Sequence, residues 1–239
     1  MFTGLIQGLG TLTRRGEDEI EISCLPTVRE LILPGLALGD SVAVDGVCLT
    51  VVEILPQGFV AIASPETLGR TTLGDRANAF VNLETSLRAG SKIGGHFVTG
   101  HVDGLGCLQE SVETGSSWEM TFGAPAEWAS LWQEQIAPYI IPKGSIAING
   151  ISLTVADCDP GGNWFKVAVI PHSFQETNLR YLERGSLVNM EGDILGKYVA
   201  KFIRSGLGDR AIGDSQKATS NLKTMNDITP DFLAEHGFI

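Results

Sequence analysis

The sequence predicts an all-β chain: two tandem, internally repeated six-stranded Greek-key barrels followed by one C-terminal amphipathic helix. Three observations carry that expectation. A block of sequence recurs without a gap, short runs of alternating polarity are punctuated by tight-turn signals, and a single strong helical stripe follows the second copy.

The recurrence is visible where Ser41-Val-Ala-Val-Asp45-Gly46-Val-Cys48-Leu-Thr50-Val51 lines up on Ser145-Ile-Ala-Ile-Asn149-Gly150-Ile-Ser152-Leu-Thr154-Val155, an offset of 104. Phe2-Thr3-Gly4 precedes Val98-Thr99-Gly100 by 96, and Val81-Asn82-Leu83-Glu84 precedes Val188-Asn189-Met190-Glu191 by 107. The order of the blocks is kept while loop lengths drift. A period near 100 residues is too long for a solenoid repeat, so each copy is a whole domain.

Within a copy, stretches such as Glu19 to Cys24 and Ser41 to Val44 alternate with the period of two that places apolar side chains on one sheet face. Asp45-Gly46 and Asn149-Gly150 separate two such runs and predict two-residue hairpins. Many short strands with close turns point to a small closed barrel. The expected boundaries are 1–90 and 91–192 for the barrels, 193–205 for the helix and 206–239 for the tail. A short helix is expected from Pro125 to Trp132. The main helix begins at Asp193, with Ile194, Leu195, Tyr198, Val199, Phe202 and Ile203 on one stripe and Lys197, Lys201 and Arg204 on the other. Such a stripe calls for a partner, either another copy of the chain or its own barrels. Ser205 to Asp227 is polar and Gly-rich and reads as a flexible linker. Thr229-Pro230 through Gly237 carries the cap signals of a short terminal helix.

Composition narrows the function. With 28 acidic against 17 basic side chains the net charge is −11, and no Lys/Arg cluster forms the positive surface that nucleic acid or an anionic membrane requires. No run approaches the roughly 18 apolar residues of a membrane span. The amino terminus lacks a secretory pattern. Cys24, Cys48, Cys107 and Cys158 form no C-x-x-C pair and read as free thiols. A soluble cytoplasmic protein is expected.

Candidate chemistry is sparse. Cys48 stands where the second copy has Ser152, so two equivalent pockets would differ as thiol against hydroxyl, although a lone cysteine is more often a small buried hydrophobe. His96, His101 and Asp103 lack further ligands at metal-site spacing, so no metal is expected, and either histidine reads equally as a surface residue or a general base. Asp193 reads first as a helix N-cap, Lys143 as a solvated charge, and Gly4, Gly8 and Gly10 as barrel bulges or corners. No phosphate loop, dinucleotide fingerprint or nucleophile elbow is present, and no cofactor is expected.

Taken together, Met1-Phe2-Thr3-Gly4, Asp45 to Thr50, Glu66-Thr67-Leu68, Gly94 to Gly104, Asn149 to Val155 and Asp193 to Tyr198 resemble the riboflavin synthase α-subunit family. The likeness runs from Met1 to about Arg204, and Phe232 to Phe238 is similar again. It departs mildly at Gly192, where a larger residue is more common, and in Gly206 to Asn226, which has no clear counterpart.

The resemblance implies two tandem barrels and a helix that joins a homotrimer. It implies a cofactor-free dismutation in which two molecules of 6,7-dimethyl-8-ribityllumazine exchange a four-carbon unit, giving riboflavin and 5-amino-6-ribitylamino-uracil. It places the active site between the first barrel of one subunit and the second barrel of its neighbour. One pocket would use Ser41, Cys48, Leu49 and Thr50 with Ile62, Ala63, Ser64, Pro65, Glu66 and Thr67, faced by His101, Val102, Asp103 and Lys143. The other would use Gly4, Leu5, Ile6, Ser152, Leu153 and Thr154 with Ile170, Pro171, His172, Ser173, Phe174 and Gln175. By the same resemblance Cys48, His101 and Asp193 are the catalytic candidates, and a lumazine synthase shell is a possible partner.

Two other classes compete. A lumazine-protein-like antenna would hold a lumazine or flavin without turnover and tends to depart from the family at catalytic positions, whereas this chain keeps Cys48, His101, Ser152, Thr154 and Asp193. An oligonucleotide-binding barrel would need a basic groove that the sequence lacks.

Overall fold

The computed structural model describes residues 1–74 and 79–211, with side chains through 204. The first barrel closes through β1 (Gly8–Arg14), β2 (Glu19–Cys24), β3 (Ser41–Val44), β4 (Val47–Leu55), β5 (Gly58–Ile62) and β6 (Phe80–Thr85), in the order β1-β2-β5-β4-β3-β6. The second repeats it through β7 (Gly104–Thr114), β8 (Ser117–Gly123), β9 (Ser145–Ile148), β10 (Ile151–Cys158), β11 (Trp164–Val169) and β12 (Leu187–Gly192), in the order β7-β8-β11-β10-β9-β12. Every pairing within the barrels is antiparallel. Even the irregularities recur: β4 shifts register between Val51 and Glu53, and β10 between Val155 and Asp157.

Alternation does what the sequence requires of it. Leu12, Ile22, Val44, Leu49, Phe59 and Leu83 fill the first barrel, and Leu108, Phe122, Ile146, Phe165, Val167 and Met190 fill the second. Trp132 closes the second core and donates from Nε1 to the Gly162 carbonyl at 2.7 Å.

The two barrels meet along a polar seam with twofold pseudo-symmetry. Asp45-Gly46 and Asn149-Gly150 have positive φ at both positions, the geometry of a type I′ hairpin turn. The turns lie back to back: a Cβ on Gly46 would come within 2.6 Å of the Gly150 nitrogen. Asn82 on β6 donates from Nδ2 to the Asn149 carbonyl, while Asn189 on β12 donates from Nδ2 to the Asp45 carbonyl, each at 2.9 Å. Their backbone nitrogens donate in turn to Asp45 Oδ1 (2.7 Å) and Asn149 Oδ1 (2.8 Å). A small apolar cluster of Phe2, Ala43, Val98 and Ala147 completes the junction, with Phe2 bridging Val98.

Among the described residues five α-helices accompany the strands: α1 (Pro26–Ile32), α2 (Pro65–Arg70), α3 (Ala129–Gln135), α4 (Pro171–Glu176) and α5 (Ile194–Ala211). The expected helix over Pro125 to Trp132 is a 3₁₀ turn at Ala126–Trp128 leading into α3. Helix α5 continues past Ser205, where the Gly-rich composition suggests a linker. Residues up to Tyr198 belong to the compact unit that holds both barrels, and a second unit begins at Val199. The expected terminal helix at Thr229 to Gly237 lies outside the described residues.

Candidate active site

Strand pairing aligns Thr50 with Ser41 on one side and Ile62 on the other, and Cys48 lies two residues before Thr50 on the same outward face. Ser41 and Cys48 are half-buried, whereas Thr50 and Ile62 are exposed. A cleft of about 180 Å³ opens beside Cys48, lined by Val47, Glu66, Thr67, Arg70, Thr71, Gly100, His101 and Val102. Helix α2 forms one wall. Proline at its first position and Ser64, whose Oγ accepts from Thr67 N at 3.1 Å, start it there.

The opposite wall comes from the start of the second copy. Cys48 N donates to the Gly100 carbonyl at 2.9 Å, and the contact is so close that a Cβ on Gly100 would sit 2.6 Å from Cys48 Cβ. His101 follows, exposed, with its backbone nitrogen held by Thr99 Oγ1 at 3.2 Å.

The second half-site mirrors the first with different chemistry. Ser152 and Thr154 face outward on β10, and Ser152 N donates to the Gly4 carbonyl at 2.9 Å. Thus the amino-terminal segment of the first copy lies on the second barrel, and the corresponding segment of the second copy lies on the first. Ile6 packs against the second core, Leu5 is exposed, and a Cβ on Gly4 would meet Ser152 Cβ at 2.6 Å. On α4, Phe174 stacks on Trp118 with centroids 4.0 Å apart and planes 5° from parallel. Ile170 is exposed just before the helix, where the first copy has the capping Ser64. Pro171 and Ser173 are half-buried, and His172 and Gln175 are exposed on the same short helix.

A residue absent from the sequence-based site stands behind Ser152. His96 Nδ1 lies 2.7 Å from Ser152 Oγ, the ring is buried, and Nε2 has no hydrogen-bond partner among the described residues. Burial pushes the imidazole below its ordinary value, against the pull of the Asp193 carboxylate. A neutral ring leaves an acceptor rather than an N–H unsatisfied at lowest cost when the proton sits on Nδ1. Nδ1–H then donates to Ser152 Oγ and frees the hydroxyl hydrogen for a ligand. Asp193 itself accepts from Leu195 N at 2.9 Å, the capping role expected of it, while its charge reaches His96. His96 thus lies against Ser152, and His101 lines the cleft beside Cys48.

Other expected site residues are placed elsewhere. Leu49, Ala63 and Leu153 point into the cores, because residues adjacent along a strand alternate faces. Asp103 binds Lys197 Nζ through Oδ1 at 2.7 Å and Gly192 N through Oδ2 at 2.8 Å, tying the loop after His101 to the first turn of α5. Burial holds its carboxyl above the ordinary range despite that cation. Lys143, exposed with φ of 66°, donates from its backbone to Val155 on the second barrel and is absent from the lining of the Cys48 cleft.

The lumazine binding domain family matches twice, over residues 3–86 and 99–193. A riboflavin synthase of Actinobacillus pleuropneumoniae is 38% identical over 241 aligned residues, covering 100% of both chains. One of Mycobacterium bovis is 39% identical over 86% of this chain and 99% of its own. Among solved structures, LumP complexed with riboflavin superposes with a TM-score of 0.67 at 24% identity, over 80% of this chain and 99% of that one, a likeness of fold. With two lumazine-binding domains in tandem and relatives of that identity along its whole length, the chain belongs to the riboflavin synthase family.

Proposed function

We propose that this chain is a riboflavin synthase, a transferase that moves a four-carbon unit between two molecules of 6,7-dimethyl-8-ribityllumazine and releases riboflavin and 5-amino-6-ribitylamino-uracil. The observation that carries this reading is the pair of outward-facing half-sites, equivalent in backbone and unlike in chemistry, within a chain 38% identical end to end to a riboflavin synthase. Two identical substrates must take unlike roles, donor and acceptor, and Cys48 with His101 against Ser152 with His96 supplies that difference. The chemistry needs a proton removed from the C7 methyl of one ring and a nucleophile added at C7 of the other. His101, exposed at the Cys48 cleft, is the acid or base. Cys48 adds to or polarises a ring, and Asp193 acts on the second half-site through His96 and Ser152. Holding two rings in register supplies most of the acceleration, since effective molarity alone offsets roughly 7–11 kcal/mol.

The cleft at Cys48, about 180 Å³, is smaller than the roughly 300 Å³ of an enclosing small-molecule site. This supports completion by the second barrel of a neighbouring subunit in a homotrimer, with Lys143 reaching the Cys48 cleft from that neighbour. Leu195 and Tyr198, exposed on α5, begin the stripe that joins the subunits. No helix among the described residues is long and apolar enough to cross a membrane, and we place the enzyme in the cytoplasm, where a lumazine synthase shell would supply its substrate.

Incubation of purified protein with 6,7-dimethyl-8-ribityllumazine tests the reading. Riboflavin and 5-amino-6-ribitylamino-uracil in equal amounts support it, and a tightly held, unchanged chromophore replaces it with the antenna. Sedimentation of Leu195→Asp beside the parent chain tests the trimer, which that charge should dissociate.

A further inference from the structure

Two buried glutamates among the described residues lie outside the chemistry just described. Glu84 on β6 is 5% exposed, and its Oε1 accepts from both Thr3 N and Thr3 Oγ1 at 2.7 Å, while Oε2 accepts from Gly4 N at 3.0 Å. Glu191 on β12, 3% exposed, repeats the arrangement. Oε1 takes Thr99 N and Thr99 Oγ1 at 2.7 Å, and Oε2 takes Gly100 N at 3.0 Å. Each glutamate thus holds three donors of one short segment. Each segment then crosses to the other barrel: Gly4 receives Ser152 N and Gly100 receives Cys48 N.

We infer that Glu84 and Glu191 are positioning residues that act crosswise, Glu84 of the first barrel setting the Ser152 half-site of the second, and Glu191 of the second setting the Cys48 half-site of the first. The assignment rests on the reading of Cys48 and Ser152 as paired half-sites. Glu191 reaches further than Gly100, because Thr99 Oγ1 also accepts from His101 N. One carboxylate therefore fixes both the wall against Cys48 and the backbone of the exposed histidine beside it. Through Thr3 Oγ1, which accepts from Leu5 N at 3.3 Å, Glu84 does the same for the rim of the Ser152 half-site. Burial raises both carboxyls above their ordinary value, against the pull of the donors that surround them.

Glutamine in place of either glutamate keeps the shape but brings an amide donor to a site where all three partners donate, so one segment bond becomes a donor–donor contact. The test uses the full chain, with Glu84→Gln and Glu191→Gln each combined with Cys48→Ser and with Ser152→Ala, read as kcat/KM for riboflavin formation. Crosswise action predicts about a tenfold loss for Glu191→Gln alone, little further loss when added to Cys48→Ser, and the full loss when added to Ser152→Ala. Glu84→Gln should show the reverse. Losses that multiply in all four combinations, or that couple within one barrel, overturn the inference.

A second measurement needs no turnover. The rate of Cys48 alkylation by iodoacetamide, followed by mass spectrometry, should rise more than threefold in Glu191→Gln and stay unchanged in Glu84→Gln. Equal rates in the two variants overturn the inference even if the chain forms no riboflavin, and that latter failure would strike the proposed activity alone. Should either glutamine variant fold poorly, Thr99→Val and Thr3→Val remove one bond to the same carboxylates and must reproduce the pattern in weaker form.

Discussion

Replacing Gly100 with alanine probes the closest contact in the first half-site. The new Cβ would lie 2.6 Å from Cys48 Cβ and 2.9 Å from Phe2 Cε2, whereas carbon atoms rest about 3.5–4.0 Å apart. Segment and strand must therefore separate by about 1 Å, stretching the 2.9 Å bond from Cys48 N to the Gly100 carbonyl beyond hydrogen-bond range, a loss of about 1 kcal/mol. The φ of 83° adds about 1–2 kcal/mol for any residue with a side chain. We expect destabilisation of about 2–3 kcal/mol by urea unfolding. Turnover should fall about 10²-fold, the cost of a 1 Å misplacement at a reacting centre. Gly39→Ala separates strain from contact, because Gly39 has φ of 87° with nothing within 4 Å of the new Cβ. It should lose only the conformational part and keep its activity. A Gly100→Ala enzyme with kcat/KM within about threefold of the parent would refute the reasoning.

Three further outcomes follow from the site. Because burial lowers the His96 pKa below 6.5, the unfolded chain takes up a proton there that the native chain refuses, so the neutral histidine's contribution is present above pH 6.5 and fades as the pH falls through the lowered value. The stability gap between parent and His96→Gln, measured by urea unfolding at about pH 7.5 and about pH 5.5, should shrink at the lower pH, and a widening gap would contradict the assignment. Lys197→Met strands the Asp103 carboxylate, whose ion pair has side chains 14% and 21% exposed, and should cost about 2–4 kcal/mol at neutral pH. Since Asp103 is already raised by burial, that loss should diminish as the pH falls and the carboxyl protonates; a pH-independent loss would point to packing alone. Cys24, buried and pushed up to about 11, should escape iodoacetamide at mildly alkaline pH while half-buried Cys48 reacts, as peptide mass mapping would reveal.

The doubled fold was legible because its signals are local and repeated: the type I′ turns at Asp45-Gly46 and Asn149-Gly150 lie where the dipeptides place them. Helices α1, α2 and α4 were missed, being too short to show a period, although Pro26, Pro65 and Pro171 each mark a first helical position. Runs of consecutive residues taken as pocket lining overlooked alternation, which sends Leu49 inward between Cys48 and Thr50. The ion pair of Asp103 was not legible because its cation lies 94 residues away. For His96 the repeat offered nothing, since its counterpart at the 96-residue offset would precede Met1; only its place behind Ser152 in three dimensions reveals a role.

The back-to-back glycines at the seam bear on how two copies of one domain can grow apart. A methyl group on either would strike the backbone of its twin, so the junction resists substitution from both directions at once. Two residues further along, each strand still meets a glycine of the other copy, at Gly100 and Gly4, but the side chain itself is free to differ, and there a sulfur faces outward in one half and an oxygen in the other. Likeness is enforced in the backbone where the halves touch and relaxed in the side chains that face outward, which is the latitude a gene duplication needs before two copies can divide their labour.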